Sequence, residues 1–253
     1  MVRAIMHGCN GKMGRAITTL AKEDAEVEIV AGVDAYTEVA NEYPVFDSIE
    51  KCDVEADVVI DFSNAKAVDG LLDYCVEKQI PVVLCTTGLS EEQLAKVKEA
   101  GEKVAVLRSA NMSLGVNLLM KLLKDAAKVL APAGFDIEIV EAHHNQKIDA
   151  PSGTAIMLAN SVNSVFGDTL NYEYDRHSVR RKRPKNEIGI HSVRGGTIVG
   201  EHEVIFAGHD EVIKICHSAQ SREVFAVGAV RAAKFLYGKV PGLYDMNSIM
   251  NIE

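Results

Sequence analysis

The sequence predicts an α/β protein in two parts. One is a parallel-sheet domain, and inserted into it is a smaller α+β domain with a mixed or antiparallel sheet. Three observations carry this prediction. Apolar runs alternate with helical patterns through residue 110. Near Asn111 the alternation gives way to longer helices and clustered β runs. A last amphipathic helix follows those runs and can return to cover the first sheet. Strand–helix alternation implies right-handed crossovers and a parallel sheet covered on both faces. The chain has 253 residues, 47% hydrophobic and 25% charged, enough for two modest domains and neither disordered nor fibrous.

In order along the chain, residues 2–7, 27–34, 56–61, 81–85 and 103–107 read as strands, and 13–21, 65–77 and 91–100 as helices. Residues 114–130 carry apolar side chains at helical spacing. A strand at 135–142 and a helix at 154–165 follow. Three β-rich runs, IGIHSV, TIVGEHEVIF and EVIKIC, lie between 188 and 215 with Gly-rich turns between them, and the last helix spans 222–236.

Charge and composition exclude several functions. Lys and Arg number 27 against 36 Asp and Glu, a formal charge of −9, so no nucleic acid or anionic membrane partner is expected. No apolar run approaches the roughly 20 residues that span a bilayer. The opening MVRAIMHGCNG reaches a Gly-rich loop before any signal-peptide core, which points to the cytoplasm. The five cysteines are scattered without a CxxC, so they read as free thiols and no metal is expected. RRKRPK at 180–185, inside a polar stretch at 172–186, reads as a solvated loop lending positive field to an anionic substrate.

Gly8-Cys9-Asn10-Gly11-Lys12-Met13-Gly14 joins the first strand to the first helix. In such a loop Gly8 permits the tight turn, Gly11 lets the backbone approach a pyrophosphate at the helix N-terminus, and Gly14 lets helix pack on strand. Asn10 stands where the usual fingerprint has a glycine, and asparagine tolerates left-handed backbone angles. Asp34 ends the second strand, where a carboxylate can accept from adenosine ribose hydroxyls; Ala35 follows instead of an arginine. The domain is therefore Rossmann-like and NADH is favoured. Lys12 leaves NADPH open.

The segment EAHHNQKIDAPSGTA (141–155) places His143, His144 and Lys147 at a strand end, and Ser152-Gly153-Thr154 at a helix start. A helix start exposes N–H groups that suit a carboxylate, lysine supplies a compact cation, and histidine exchanges protons near neutral pH. Together these parts suit binding and protonating a dicarboxylate. Adjacent histidines at a strand end point to opposite faces, which argues against a shared metal.

Together with GCNGKMGR, CTTGL, SANMSLGVN, IHSVRGGTIVGEHEV and SAQSREVFAVGAVRAA, that segment resembles the 4-hydroxy-tetrahydrodipicolinate reductase (dihydrodipicolinate reductase) family, from residue 3 to about 246. The resemblance implies NAD(P)H-dependent reduction of 4-hydroxy-tetrahydrodipicolinate, via its dehydrated form, to tetrahydrodipicolinate with release of water, in diaminopimelate and lysine biosynthesis. It implies a homotetramer of subunits in which 1–111 and 217–253 bind the dinucleotide, while 112–216 bind a small cyclic dicarboxylate and build the oligomer.

Carried over by residue, His143 is the proton donor/acceptor and Lys147 a proton donor. His144, Lys147, Gly153 and Thr154 hold substrate carboxylates. Gly8, Cys9, Asn10, Gly11, Lys12 and Met13 wrap the pyrophosphate, and Asp34 takes the ribose. Cys85, Thr86 and Thr87, with Ala110, Asn111, Met112 and Ser113, lie near the nicotinamide. Two departures stand out: Cys85 replaces a glycine, and Met112 replaces an aromatic residue expected over the nicotinamide. Domain closure about hinges at 110–113 and 216–218 is a further expectation. Two other readings remain: a semialdehyde dehydrogenase with Cys85 as nucleophile, and a non-catalytic NADH-sensing module. Insensitivity to thiol alkylation counts against the first, and binding of a pyridine dicarboxylate against the second.

Overall fold

The computed structural model describes residues 1–178 and 180–250; Val179, within the polar stretch, and 251–253, at the end of the second dinucleotide-binding segment, lie outside them. In chain order the elements are β1 (Val2–His7), α1 (Lys12–Glu23), β2 (Val27–Val33), β3 (Val45–Phe46), β4 (Val58–Asp61), α2 (Val68–Lys78), β5 (Val82–Leu84), α3 (Glu91–Gly101), β6 (Ala105–Arg108), α4 (Leu114–Leu130), β7 (Asp136–His143), α5 (Gly153–Asn163), β8 (Asn171–Glu173), β9 (Glu187–Arg194), β10 (Gly200–Ala207), β11 (Val212–Ala219), α6 (Glu223–Leu236), β12 (Gly242–Tyr244) and α7 (Met246–Met250). The chain divides into two compact units, Met1–Leu114 with the chain from Glu223 onward, and Gly115–Arg222. Among the described residues no helix is long and apolar enough to cross a membrane.

The first unit holds a seven-stranded sheet in the order β12-β6-β5-β4-β1-β2-β3, every neighbouring pair parallel. Its central strands are apolar throughout because both faces are covered, and successive side chains go to opposite faces. Met6, Ile60, Val83 and Leu107 pack with Ile17 of α1 and Ala229, Ala233 and Leu236 of α6. Ile5, Val59, Val82 and Val106 pack with Leu71, Leu72 and Cys75 of α2 and Val97 of α3. The small residues of α6 let it approach closely, and Lys234 ties it to Asp24 and Glu26 beyond α1.

Differences from the expected boundaries have local causes. The strand expected from residue 103 begins at Ala105 because the N–H groups of Lys103 and Val104 both donate to Ala100, closing the end of α3. A 3-10 turn capped by Asn64 precedes α2. β3, β8 and β12 are too short to show a period.

The second unit holds a five-stranded mixed sheet in the order β11-β10-β7-β9-β8. β10 is antiparallel to β7 and β11, while β9 is parallel to β7 and β8. One face packs against α4 and α5 through Ile137, Ile139, Ile188, Ile190, Val204 and Phe206. The expected hinge at 216–218 lies within β11, where Cys216 pairs with Glu203 and Ser218 with Glu201; the ladder fixes that backbone. Because β11 continues to Ala219, the chain leaves this unit after Arg222 and not after residue 216.

RRKRPK is not simply a solvated face. Arg183 donates to Glu138, Asp136 and the carbonyls of Ile137 and Glu187; Lys185 reaches Asp136, and Arg181 reaches Glu173. Most of its charge is thus spent within the unit, clamping the polar loop to β7 and β9, and little is left to attract a distant anion.

A Cβ at Gly14 would overlap the carbonyl of Gly8 and come within 2.6 Å of the Cys9 Cα. Gly14→Ala is expected to destabilise the protein by about 1–3 kcal/mol, through overpacking against backbone that cannot swing aside. An unchanged urea midpoint would refute this account of the helix–strand contact.

Candidate active site

Local chemistry shapes the loop between β1 and α1. Gly8 has φ +84°, and a Cβ there would sit 2.5 Å from the carbonyl oxygen of Phe62, so only glycine fits. Gly11 is the N-cap of α1 in extended conformation (φ −70°, ψ 168°) with no side-chain cap. The first turn of α1 therefore presents N–H groups and positive dipole to an incoming anion. The adjoining cleft of about 450 Å³ is lined by Gly8, Gly11, Asp34, Ala35, Phe62 and Ser63 among others. These residues fit a dinucleotide.

Asn10 is not in the left-handed region, contrary to the reason first given for it. Its value lies in hydrogen bonds: the amide donates to the Tyr36 carbonyl at 2.6 Å and accepts from Asn41 at 3.0 Å. Its backbone N–H donates to Asp34 Oδ2 at 3.0 Å, and Tyr36 N–H donates to Oδ1 at 3.1 Å. Asp34 thus faces the glycine loop with both oxygens already oriented. Lys12 is exposed, whereas Met13 packs on the core. Cys9 is fully buried against Gly32, and burial followed by the Asp34 charge pushes its thiol up to about 11, so it can offer a ligand only its backbone.

Sequence reasoning gave no role to Asp61, at the carboxyl end of β4 and fully buried. It accepts from Ser63 Oγ and Thr86 Oγ1, each at 2.6 Å, and from the Ser63 N–H at 3.2 Å. His7 Nδ1 lies 2.9 Å away without the alignment of a hydrogen bond. Asp61 therefore pins the loop 85–88 and turns Thr86 inward, leaving Thr87 exposed. Burial, then Asp61, holds the Cys85 thiol well above its ordinary value, which removes the thiolate that a nucleophile needs. In the second loop Asn111 Oδ1 accepts the Ser113 N–H at 2.9 Å and Ala110 is exposed. Met112 is 2% exposed, packed in the core that α6 covers. It does not present a platform in place of the missing aromatic; only its backbone is available.

Strand register builds the cluster of the second unit. Along β7 the side chains of Ile137, Ile139, Glu141 and His143 share the face toward the helices. Glu141 stands opposite Ser192 of β9 and His202 of β10, and His143 stands opposite Arg194. The same row that is aliphatic at one end becomes ionisable at the other. Glu141 is fully buried and bound on every side. It accepts from His143 Nδ1 at 2.6 Å, from Arg194 at 2.7 and 2.8 Å, and from the Ser152 N–H at 3.1 Å. Burial alone would raise its pKa, but the hydrogen bonds from Arg194, Ser192, His143 and Ser152 outweigh it and bring the carboxyl down to about 2.

Ser152 caps α5 by accepting the Ala155 N–H at 3.1 Å, and its Oγ lies 2.9 Å from His202 Nε2. A Cβ at Gly153 would meet nothing within 4 Å, so the start of α5 opens onto space at that position, and Thr154 follows it half-buried. Lys147 Nζ lies 2.8 Å from the exposed Asp149 carboxylate. His144 Nδ1 accepts the Gln146 N–H, and Arg222 approaches His144 Nε2 at 3.4 Å. His143, His144, Lys147 and the Gly153–Thr154 helix start thus belong to one neighbourhood of the second unit. Glu141, Arg194, His202 and Arg222 join it without having been assigned a role. The alternation in FDIEIVEAH was the available signal for Glu141; Arg194 and His202 needed the register.

Burial, then the charge of His143, lowers the His202 pKa to about 4 from 6.5. The fold thus refuses a proton that the unfolded chain accepts. The associated stability is present above pH 6.5 and is lost as pH falls toward 4, on the order of 3 kcal/mol at most. Glu141 continues the loss between 4.5 and about 2. His202→Gln should flatten the decline in urea midpoint between pH 6.5 and 4. An unaltered slope would refute this assignment.

Known proteins bear on this geometry. Residues 2–112 match the family model described as "Dihydrodipicolinate reductase, N-terminus", and residues 115–250 that described as "Dihydrodipicolinate reductase, C-terminus". The chain is 57% identical to a 4-hydroxy-tetrahydrodipicolinate reductase from Caldanaerobacter subterraneus subsp. tengcongensis, over 99% of this chain and 98% of that one. It is 51% identical to one from Clostridium tetani, again over 99% and 98%. A dipicolinate-bound dihydrodipicolinate reductase from Paenisporosarcina sp. TG-14 superposes with a TM-score of 0.83 at 25% identity, over 98% of both chains. The match of both family models, together with relatives at this identity along nearly the whole length, establishes that the chain belongs to the 4-hydroxy-tetrahydrodipicolinate reductase family.

Proposed function

We propose that this chain carries out its family's reduction of 4-hydroxy-tetrahydrodipicolinate with His143 and Lys147 as its proton-handling groups. The observation that supports the reading most is the joining of a histidine, a lysine and an open helix start in one small part of the second unit. Lys147, His144 and the N–H groups and hydroxyl at Gly153 and Thr154 hold the two carboxylates of the small cyclic substrate. The exposed Asp149 occupies Lys147 in the meantime, and an incoming carboxylate takes its place. A nicotinamide dinucleotide supplies the hydride when bound. The negative charge that develops on the ring is met by Lys147, with Arg222 adding positive field beside His144. His143 or Lys147 then delivers the proton.

Gly8 to Met13 wrap the dinucleotide pyrophosphate, the 85–87 and 110–113 loops meet its nicotinamide end, and Asp34 receives the adenosine ribose. Each Asp34 oxygen uses one lone pair on a backbone N–H and keeps another for a ribose hydroxyl. A carboxylate there disfavours a 2′-phosphate, so NADH is the favoured cofactor; Lys12 is the residue through which NADPH gains what binding it has. Assembly as a homotetramer through the second unit's sheet belongs to the same proposal. It draws support from Val193 and Val212, exposed on the face away from α4 and α5. The buried, protonated Cys85 argues against the semialdehyde dehydrogenase reading.

The test is consumption of NADH and, separately, NADPH, with substrate generated by dihydrodipicolinate synthase from pyruvate and aspartate semialdehyde. Lys147→Ala should lower kcat by about 100-fold or more and raise the substrate KM. Unchanged kinetics would sink the assignment of Lys147. Asp34→Ala should raise the NADPH-to-NADH ratio of kcat/KM by roughly tenfold, a difference of about 1.4 kcal/mol; a constant ratio would show that Asp34 does not read the ribose.

A further inference from the structure

We propose that Glu141 is the positioning residue of the second unit's site: one carboxylate holds both the proton-transferring histidine and the helix start that anchors the substrate, and Arg194 tunes how strongly it does so. This rests on the reading of His143 as a proton donor, and goes beyond it by assigning what fixes the tautomer and the orientation of its ring.

The geometry is specific. Glu141 Oε2 is 2.6 Å from His143 Nδ1, and an ionised carboxylate only accepts, so Nδ1 carries a proton in both protonation states of the ring. The transferable proton is therefore on Nε2. That atom points toward Gly200, where a Cβ would stand 3.2 Å away, so glycine keeps the approach to Nε2 open. Glu141 Oε1 meanwhile accepts the Ser152 N–H at 3.1 Å. Two segments eleven positions apart in sequence, the strand end and the N-cap of α5, are thus fixed to the two oxygens of one rigid group. The distance between proton donor and carboxylate anchor is set there.

Every charged or titratable group around His143 bears on its protonation. Glu141 shares its strand, and Arg194 on β9 gives two N–H groups to Glu141 and one to the Asp149 carbonyl. His202 on β10 stacks edge-on to His143 at 5.2 Å between ring centroids, and His217 on β11 stands opposite His202. Lys147 and Asp149 lie on the following loop. His144 adjoins His143 in sequence, with Arg222 3.4 Å from its Nε2. His202 is kept neutral by burial, so the fixed charges are the Glu141 carboxylate, the cations Arg194, Lys147 and Arg222, and the exposed Asp149. Glu141 lies against the His143 ring, and Arg194 donates to both of its oxygens. Arg194 competes for the same oxygens and moderates that support.

The two charges should therefore act in opposite directions, which a merely structural ion pair would not do. kcat is measured against pH for the intact enzyme and for Glu141→Gln, Arg194→Gln and His143→Gln. The alkaline limb, where the general acid loses its proton, should move down by about one pH unit or more in Glu141→Gln, a tenfold loss of proton affinity, and up in Arg194→Gln. It should vanish in His143→Gln.

If His143→Gln keeps both its rate and its limb, the reading of His143 as proton donor fails, and the inference with it. If His143→Gln removes the limb while Glu141→Gln and Arg194→Gln leave it in place or move it the same way, the inference alone is overturned. Should the Glu141 variant not fold, histidine side-chain ¹⁵N spectra of the unmodified protein decide, with the His143 signals identified by their loss in His143→Gln. Neutral His143 protonated on Nδ1 is expected; protonation on Nε2 overturns the proposal.

Discussion

The pleat of β7 is the constraint on which the second unit's chemistry depends. Side chains two apart fall on one face, so the row that begins with Ile137 and Ile139 must continue through Glu141 and His143. That continuation carries a carboxylate into the space beneath α5, where an unpaired charge would be costly. The structure offsets the cost with donors from β7, β9 and the N-cap of α5, all converging on two oxygens. Removing any one donor leaves the others holding a charge that burial disfavours. The cluster is consequently rigid, and rigidity is what the roles proposed for His143 and the start of α5 require of their support.

The first unit meets a similar problem at the carboxyl edge of its parallel sheet. Asp61 is as buried as Glu141, but its donors are a neutral backbone N–H and two hydroxyls, with a histidine nearby and no arginine. Its bonds run to loops that follow two neighbouring strands. Those loops, together with the glycine turn after β1, form the edge where ligands of doubly wound sheets bind. Neutral donors suffice because the task there is to shape backbone.

Much of this was legible in the sequence. Strand–helix alternation gave a parallel sheet, the change near Asn111 gave a second body, and the glycine spacing located the turn before α1 together with Asp34. The segment from Glu141 to Ala155 announced a polar cluster because it concentrates histidine, lysine and a helix start within a few residues. What stayed hidden was mostly long-range. Arg194 and His202 lie 53 and 50 positions from their partners Glu141 and Ser152, and nothing local in VRGG or GEHEV says which strand they will face. Thr86 is 25 positions from Asp61 and reads, in isolation, as a hydroxyl free for a ligand. Which way the side chains of Met112 and Cys9 turn was equally hidden: Gly228 and Gly32 approach them closely, and both are buried.

Asn10 and Arg183 show the same limit from the side of chemistry. A polar residue in a glycine loop invites an argument from backbone angles, and a basic run invites an argument from field. In both cases the fold found specific partners first: Tyr36 and Asn41 for the amide, Glu138 and Asp136 for the guanidinium. Desolvation explains the order of preference. A half-buried donor left without an acceptor costs more than an exposed charge gains from a distant ligand. Internal partners therefore claim such groups wherever strands and loops bring them within reach. Groups that remain available, as Lys147 does with the exposed Asp149 carboxylate beside it, are those whose surroundings leave their pairing exchangeable.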